Sequence, residues 1–170
     1  EIIKFVYNYC REYAANFSSV SPSLLFRGGP GLGKTFLSAC IAREVASNGF
    51  SVAYESAPRA LGEFEAQRFS RDEAERDAAS VKVRDYLECD LMILDDLGTE
   101  MTTSFTVSAL YQLVNTRLIE SRQTIISTNL SDEEIVRRYG PQTASRLAGE
   151  YELLSFAGSD IRRIKKERGL

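Results

Sequence analysis

The chain has no histidine, only three cysteines, no apolar run that approaches a bilayer span, and no excess of basic charge. Each shortage excludes something. Without histidine, and with Cys10, Cys40 and Cys89 in no ligand spacing, metal centres built on imidazole or thiolate are ruled out. An odd number of cysteines set in apolar stretches argues against a disulfide framework and points to a reducing compartment, with Cys40 and Cys89 expected as small core residues. The lack of a membrane span or signal peptide gives a cytoplasmic expectation. A formal charge of −3 supplies no overall attraction to nucleic acid, so any such contact has to come from a local patch.

What is present suits one folded unit. The 170 residues are 44% apolar, enough for a single α/β domain with a full core. Because the sequence opens at Glu1 rather than Met, it is expected to be a fragment whose upstream part is missing. No internal repeat or low-complexity segment interrupts it.

The most informative stretch is Gly28-Gly29-Pro30-Gly31-Leu32-Gly33-Lys34-Thr35, which fits G-x-x-x-x-G-K-[ST] between an apolar run (Leu24, Leu25, Phe26) and a helical pattern starting at Lys34. Glycines let successive backbone N–H groups turn toward a phosphate, which the positive end of the next helix also attracts. Residues Gly28 through Thr35, with Phe36 beyond them, are therefore the predicted triphosphate cradle. Lys34 is expected at the β- and γ-phosphates, and the Thr35 hydroxyl on Mg²⁺.

Periodicity predicts strands alternating with helices. A helix over 2–16 carries Ile2, Ile3, Val6, Tyr9 and Tyr13 on one stripe, and the helix after the glycine loop carries Leu37, Cys40, Ile41 and Val45 before Asn48-Gly49. Strands are expected at 24–26, 51–54, 91–94 and 124–127, with a fifth at 151–156. Val107, Leu110, Tyr111, Val114 and Leu118 mark another helix, for which Thr102, Thr103 or Ser104 is the cap, and Ser131 with Glu134 forms a capping box opening a short one. The charged stretch 59–79, anchored only by Leu61, Phe64 and Phe69, reads as a solvated, partly mobile helical excursion. Right-handed crossovers then give a five-stranded parallel sheet covered on both faces, with the ligand at the carboxyl ends of the strands.

Two further constellations fall at that edge. Asp95-Asp96 closes the run Leu91-Met92-Ile93-Leu94; paired with the glycine loop, Asp95 is predicted to hold the Mg²⁺ shell and Asp96 to polarise the attacking water, although such a pair is also an ordinary strand end or cap. Aspartate is shorter than glutamate by about 1.5 Å, so slow turnover is expected. Asn129 follows the fourth strand, where it either hydrogen-bonds the γ-phosphate or water, or simply makes a turn. Glu100 has no assigned place.

Together the glycine loop, Leu-Asp-Asp-Leu-Gly-Thr-Glu (94–100) and Ser-Thr-Asn-Leu-Ser (127–131) resemble AAA+ ATPases, and more narrowly the DnaC/DnaI helicase loaders and IstB transposition helpers, over residues 20–165. The resemblance implies ATP and Mg²⁺ as ligands, slow and assembly-dependent ATP hydrolysis, self-association into a ring or filament, single-stranded DNA and a replicative helicase as partners, and an adenine pocket near the leading helix and the 17–23 turn. By the same likeness Asn129 is the first sensor, Arg146 the finger reaching a neighbouring subunit, and Arg162 the second sensor; Arg117 and Arg163 compete for the arginine roles. The few residues after Arg162 leave little or no C-terminal lid, as in the loaders. The basic cluster 162–168 reads either as a charged helix end or as a phosphate-backbone contact. A transposition helper is the nearest rival to a helicase loader. A glycine loop of this kind also suits a small-molecule kinase or a non-hydrolysing nucleotide module, the kinase being disfavoured because Asp95, Asp96 and Asn129 suit water attack.

Overall fold

The computed structural model describes residues 2–158. In chain order the elements are α1 (Ile2–Ala15), β1 (Ser23–Arg27), α2 (Lys34–Ser47), β2 (Val52–Ser56), α3 (Ala57–Phe69), α4 (Glu73–Glu88), β3 (Leu91–Leu97), α5 (Ser104–Ile119), β4 (Gln123–Thr128), α6 (Asp132–Glu150) and β5 (Tyr151–Ser155). The five strands form one parallel sheet in the order β2-β3-β4-β1-β5.

Strand alternation divides the core in two. Leu24 and Phe26, Leu91 and Ile93, and Ile125 point to a face covered by α1 and α2. Leu25, Met92, Leu94 and Ile126 point to the opposite face, covered by α3, α4, α5 and α6. Because β1 and β3 are buried on both sides, Leu24–Phe26 and Leu91–Leu94 read as continuous apolar runs, whereas the equally buried β4 is mostly polar, with only Ile125 and Ile126 apolar. Their carboxyl ends are where side chains and loops stay free to meet a ligand.

Several expectations are corrected. The stretch 59–79 is helical and keeps most of its charged residues at the surface, as expected, but it belongs to a packed pair: α3 and α4 bury Ala57, Ala60, Leu61, Phe64, Val83 and Tyr86 in the core on the sheet's second face. Leu61 and Phe64 are buried anchors as expected, whereas Phe69 is exposed. The second strand lies at 52–56 rather than 51–54, and β3 continues through Asp95 and Asp96 to Leu97. On α1 the buried stripe is Val6, Cys10 and Tyr13, with Ile3 exposed, and on α2 Cys40 is exposed rather than a core residue. Cys89 is buried as expected, and burial pushes the Cys10 thiol up to about 12.

Arg117 is fully buried, and this removes it as a candidate arginine finger. Its guanidinium donates to Thr124 Oγ1 at 2.9 Å and to the carbonyls of Tyr86 (2.8 Å), Cys89 (3.0 Å) and Gln123 (2.6 Å). Carbonyl oxygens at the end of α4 satisfy the buried donors in place of a carboxylate, while burial lowers the group's pKa.

Helix ends follow local chemistry. Thr103 caps α5 and Ser131 caps α6, each in a reciprocal box with the residue three positions on. Inside α6, Gly140 is non-helical (φ 82°, ψ 165°) and Pro141 starts a second helical segment, so the short helix read from Ser131 is the first half of a longer, broken one.

Candidate functional site

The sheet's carboxyl edge carries a cavity of about 620 Å³ lined by Pro30, Gly31, Leu32, Gly33, Lys34, Thr35, Phe36 and Ala39, together with Asp96, Thr99 and Asn129. It joins three segments far apart in sequence: the loop after β1, the loop after β3 and the residue after β4. The 17–23 turn contributes no residue to it.

The loop after β1 is shaped by main-chain requirements. Gly31 (φ 73°) and Gly33 (φ 92°) occupy the left-handed region, and Gly33 is the N-cap of α2, so the first free amides of that helix open on the cavity. Gly28 is required for a different reason. A Cβ there would lie 2.2 Å from the Phe156 carbonyl oxygen, because Phe156 N donates to Arg27 O at 2.6 Å and brings that segment against β1. Lys34 is buried, and its ammonium donates to the carbonyls of Gly28 (2.6 Å) and Gly29 (2.8 Å) and to Asn129 Oδ1 (2.6 Å). Gly28 and Gly29 thus meet the lysine but do not line the cavity.

The acidic pair splits across the sheet edge. Asp95 is buried, accepting from Ser127 Oγ at 2.5 Å and from Tyr54 Oη at 2.9 Å, and it is not among the lining residues. Tyr54 Oη also lies 3.5 Å from the Thr35 carbonyl oxygen, so Asp95 and Thr35 share a neighbour. Desolvation, then the negative Asp95, raises the Tyr54 pKa and keeps the phenol a donor. Asp96 is exposed and adopts φ 56°, a conformation that costs a non-glycine residue about 1–2 kcal/mol and that aspartate tolerates better than most. Ser127 Oγ accepts its N–H at 2.9 Å, and its carbonyl accepts from Thr99 N (3.3 Å) and Thr99 Oγ1 (2.9 Å). The reversed backbone places Asp96 on the cavity one residue after Asp95 has entered the sheet.

Tyr54 carries no local signal in the sequence, and Ser127 and Thr99 lie inside the quoted 127–131 and 94–100 motifs without a role assigned to them. Ser127 is recognisable only from register: Leu94 pairs with Ile126, which puts Ser127 beside Asp95. Glu100 now has a place. It is buried, accepts from Gly98 N at 3.0 Å and from the Tyr139 hydroxyl, and lies outside the cavity. Arg146 is half-buried on the second segment of α6 and does not line the cavity either. Arg162, Arg163 and the 162–168 cluster fall outside the described residues, as does everything that bears on a lid.

Donor chemistry fits a polyanion with a hard cation. Helix amides, the Lys34 residue, Thr35 and the Asp96 carboxylate line the cavity, and Asp95 lies buried behind it, sharing the Tyr54 hydroxyl with the Thr35 carbonyl. Thr35 and Asp95 are the residues suited to an oxygen-ligated Mg²⁺, which needs few protein ligands when phosphates and water complete its shell. Among the described residues no cluster of three or more acidic or cysteine side chains forms an all-protein metal site, and no helix is long and apolar enough to cross a membrane.

A five-stranded parallel α/β sheet whose first βα turn ends at the N-terminus of α2, with an acidic pair on β3 two strands away, has the fold of the AAA+ P-loop proteins. The chain belongs to the family of IstB-like ATP-binding proteins, whose model matches residues 13–149. It is 25% identical to the replicative helicase loader DnaC of Escherichia coli (strain K12) over 137 residues, 81% of this chain and 54% of that protein. A Mycobacterium tuberculosis (strain ATCC 25618 / H37Rv) protein, an ATP-binding protein in an insertion sequence, is 26% identical over 120 residues, 70% of this chain and 45% of the relative. Among solved structures, that of the DnaC helicase loader superposes with a TM-score of 0.79 at 20% identity, covering 91% of this chain and 89% of that one, which demonstrates the shared fold. The chain spans about half the length of the curated relatives it matches.

Proposed function

We propose that this chain binds ATP with Mg²⁺ and hydrolyses it slowly, acting as a nucleotide-driven switch in DNA replication in the manner of a helicase loader. The observation that carries the reading is the cavity itself, in which the first turn of α2, Lys34, Asp96 and Asn129 converge. In this reading the amides from Gly31 to Thr35 and the Lys34 ammonium hold the β- and γ-phosphates. Thr35 and Asp95 would hold Mg²⁺, which would supply charge neutralisation at the phosphate oxygens. Asp96 accepts a hydrogen bond from the attacking water, and Asn129, whose Oδ1 already meets Lys34 at 2.6 Å, orients the γ-phosphate or that water. Arg146, on an accessible helix and away from the chain's own cavity, is assigned to a neighbouring subunit's nucleotide, which makes hydrolysis depend on assembly into a ring or filament. Arg162 is the second sensor of the same scheme.

Partners follow from kinship. The DnaC relative favours a replicative helicase, with single-stranded DNA following from the resemblance to the loaders; the family's IstB-like character and the insertion-sequence relative favour the second reading, an ATPase that assists a transposase. Pull-down of the full-length parent protein with helicase or with transposase separates them. Phosphate release with Mg²⁺-ATP tests the core claim: the wild type is expected to turn over, and Lys34→Ala to lose ATP affinity by at least about 100-fold as it loses the buried ammonium. Unchanged ATP affinity in Lys34→Ala would sink this reading.

A further inference from the structure

The end of β3 and the loop that follows it bring Asp96 and Thr99 to the cavity, yet the backbone there makes few internal hydrogen bonds beyond those of Thr99 to Asp96 O. It is held from outside, by two consecutive residues at the end of the first segment of α6. Arg138 donates from Nη1 to Gly98 O at 2.5 Å, from Nη2 to Glu100 O at 3.1 Å and from Nε to Thr102 Oγ1 at 3.1 Å. Its guanidinium is spent on main-chain and hydroxyl acceptors across five residues of one loop. Tyr139, fully buried, donates its hydroxyl to Glu100 Oε1, whose other oxygen, Oε2, accepts Gly98 N. Burial and the Glu100 contact raise the Tyr139 pKa, so the phenol stays protonated and remains a donor throughout the physiological range. Gly98 completes the fit: its φ of 110° strains any other residue, and a Cβ there would lie 2.8 Å from Leu130 Cδ1 and force that side chain to shift.

The geometry points to Arg138 and Tyr139 as positioning residues of the phosphate site, acting through Glu100 and the 98–102 backbone to hold Asp96 and Thr99 against the bound triphosphate. The inference rests on the ATPase reading above. Neither residue touches the cavity, so each acts on turnover only through the loop. A surface ion pair would do none of this; a guanidinium fork bound to two carbonyls and a hydroxyl fixes backbone direction, which sets where the Asp96 carboxylate sits.

The test compares wild type, Arg138→Ala and Tyr139→Phe in the full-length parent protein, reading the Kd of a fluorescent ATP analogue, kcat for phosphate release, and amide hydrogen exchange over 97–103. Tyr139→Phe keeps the ring and removes only the hydroxyl, and Arg138 is part-exposed, so both variants are expected to fold. The expected result is kcat lower by about 10-fold in each, with Kd within about 2-fold of wild type and faster exchange confined to the loop. Glu100→Gln combined with Tyr139→Phe should lose less than the sum of the two single losses, since both break one contact. Equal kcat in wild type and both variants overturns the latch alone. Losses of Kd, kcat and melting temperature in parallel would make it a purely structural contact and also overturn it. A wild type that releases no phosphate overturns the reading beneath it, a different failure.

Discussion

Residues 28–35 and residues 96–103 meet at one cavity and are held there by opposite means. The first loop closes largely on itself: Lys34 reaches back to the carbonyls of Gly28 and Gly29, and Gly31 and Gly33 supply the backbone angles, with Asn129 on Lys34 and Thr128 O on Gly28 N as its ties to the end of β4. The second is tied by partners remote in sequence, Ser127 from β4 and Arg138 and Tyr139 from α6. A loop closed locally can be written as a short motif. One that is braced from elsewhere cannot, and its geometry depends on the register of a neighbouring strand and the seating of a helix.

Within the glycine loop itself the contrast can be broken by substituting adjacent residues. Gly28→Ala is expected to have the largest effect in the molecule: its Cβ falls 2.2 Å from the Phe156 carbonyl, a main-chain atom that cannot rotate away. Destabilisation of more than about 3 kcal/mol is expected, read as a large fall in melting temperature. Gly29→Ala, whose Cβ meets nothing nearer than Leu32 Cδ1 at 3.9 Å, should change stability by less than about 0.5 kcal/mol. If the two variants melt alike, the approach of residue 156 to β1 is wrong, and with it the reason Gly28 is glycine.

That pair also shows what is legible in the linear sequence. The glycine loop, the helix at Lys34, the strand leading into Asp95 and the Ser131–Glu134 capping box are local patterns, and each appears where its pattern puts it. Asn129 is placed by position alone and does meet Lys34. On α3 and α4 the helical pattern and the anchors Leu61 and Phe64 are legible, whereas Ala57, Ala60, Val83 and Tyr86, which join them in the core, are masked by the charged residues around them. Arg117 passes for a mobile cation because nothing around it in sequence announces the carbonyls that surround it. Cys40 falls next to Ile41 on the helix stripe and so reads as core, whereas the true stripe of Leu37, Ile41 and Val45 turns it outward. Tyr54, Ser127 and Glu100 become site residues only when β2, β3, β4 and α6 are side by side.

An intermediate effect sharpens the role of the remote braces. Ser127 Oγ donates to Asp95 and accepts from the Asp96 amide, so one hydroxyl joins both carboxylate-bearing residues. Ser127→Ala orphans that amide and removes one of the two hydroxyl donors seen on a buried carboxylate. A loss of about 1–3 kcal/mol is expected from chemical denaturation. The variant should also require more Mg²⁺ for half-maximal phosphate release, because Asp95 would be held only by Tyr54. Unchanged stability together with an unchanged Mg²⁺ requirement would refute the idea that β4 organises the acidic pair.

The smallest expected effect separates loop geometry from stability. Thr103 and Asp72 are both N-caps with side chains that accept helix amides: Thr103 Oγ1 from Thr106 N at 3.1 Å, Asp72 Oδ1 from Ala74 N at 2.9 Å. Replacing either by alanine should cost about 1 kcal/mol, since each removes one cap of the same kind. Only Thr103 ends the loop that bears Asp96 and Thr99; Asp72 starts α4, which lines no part of the cavity. Thr103→Ala should therefore lower kcat by about 2–5-fold with ATP affinity kept, whereas Asp72→Ala should leave turnover at the wild-type value once the folded fraction is corrected for. Equal turnover in the two variants, at equal loss of stability, would mean that the loop after β3 keeps its shape without its cap, and that the grip of Arg138 and Tyr139 alone determines where Asp96 stands.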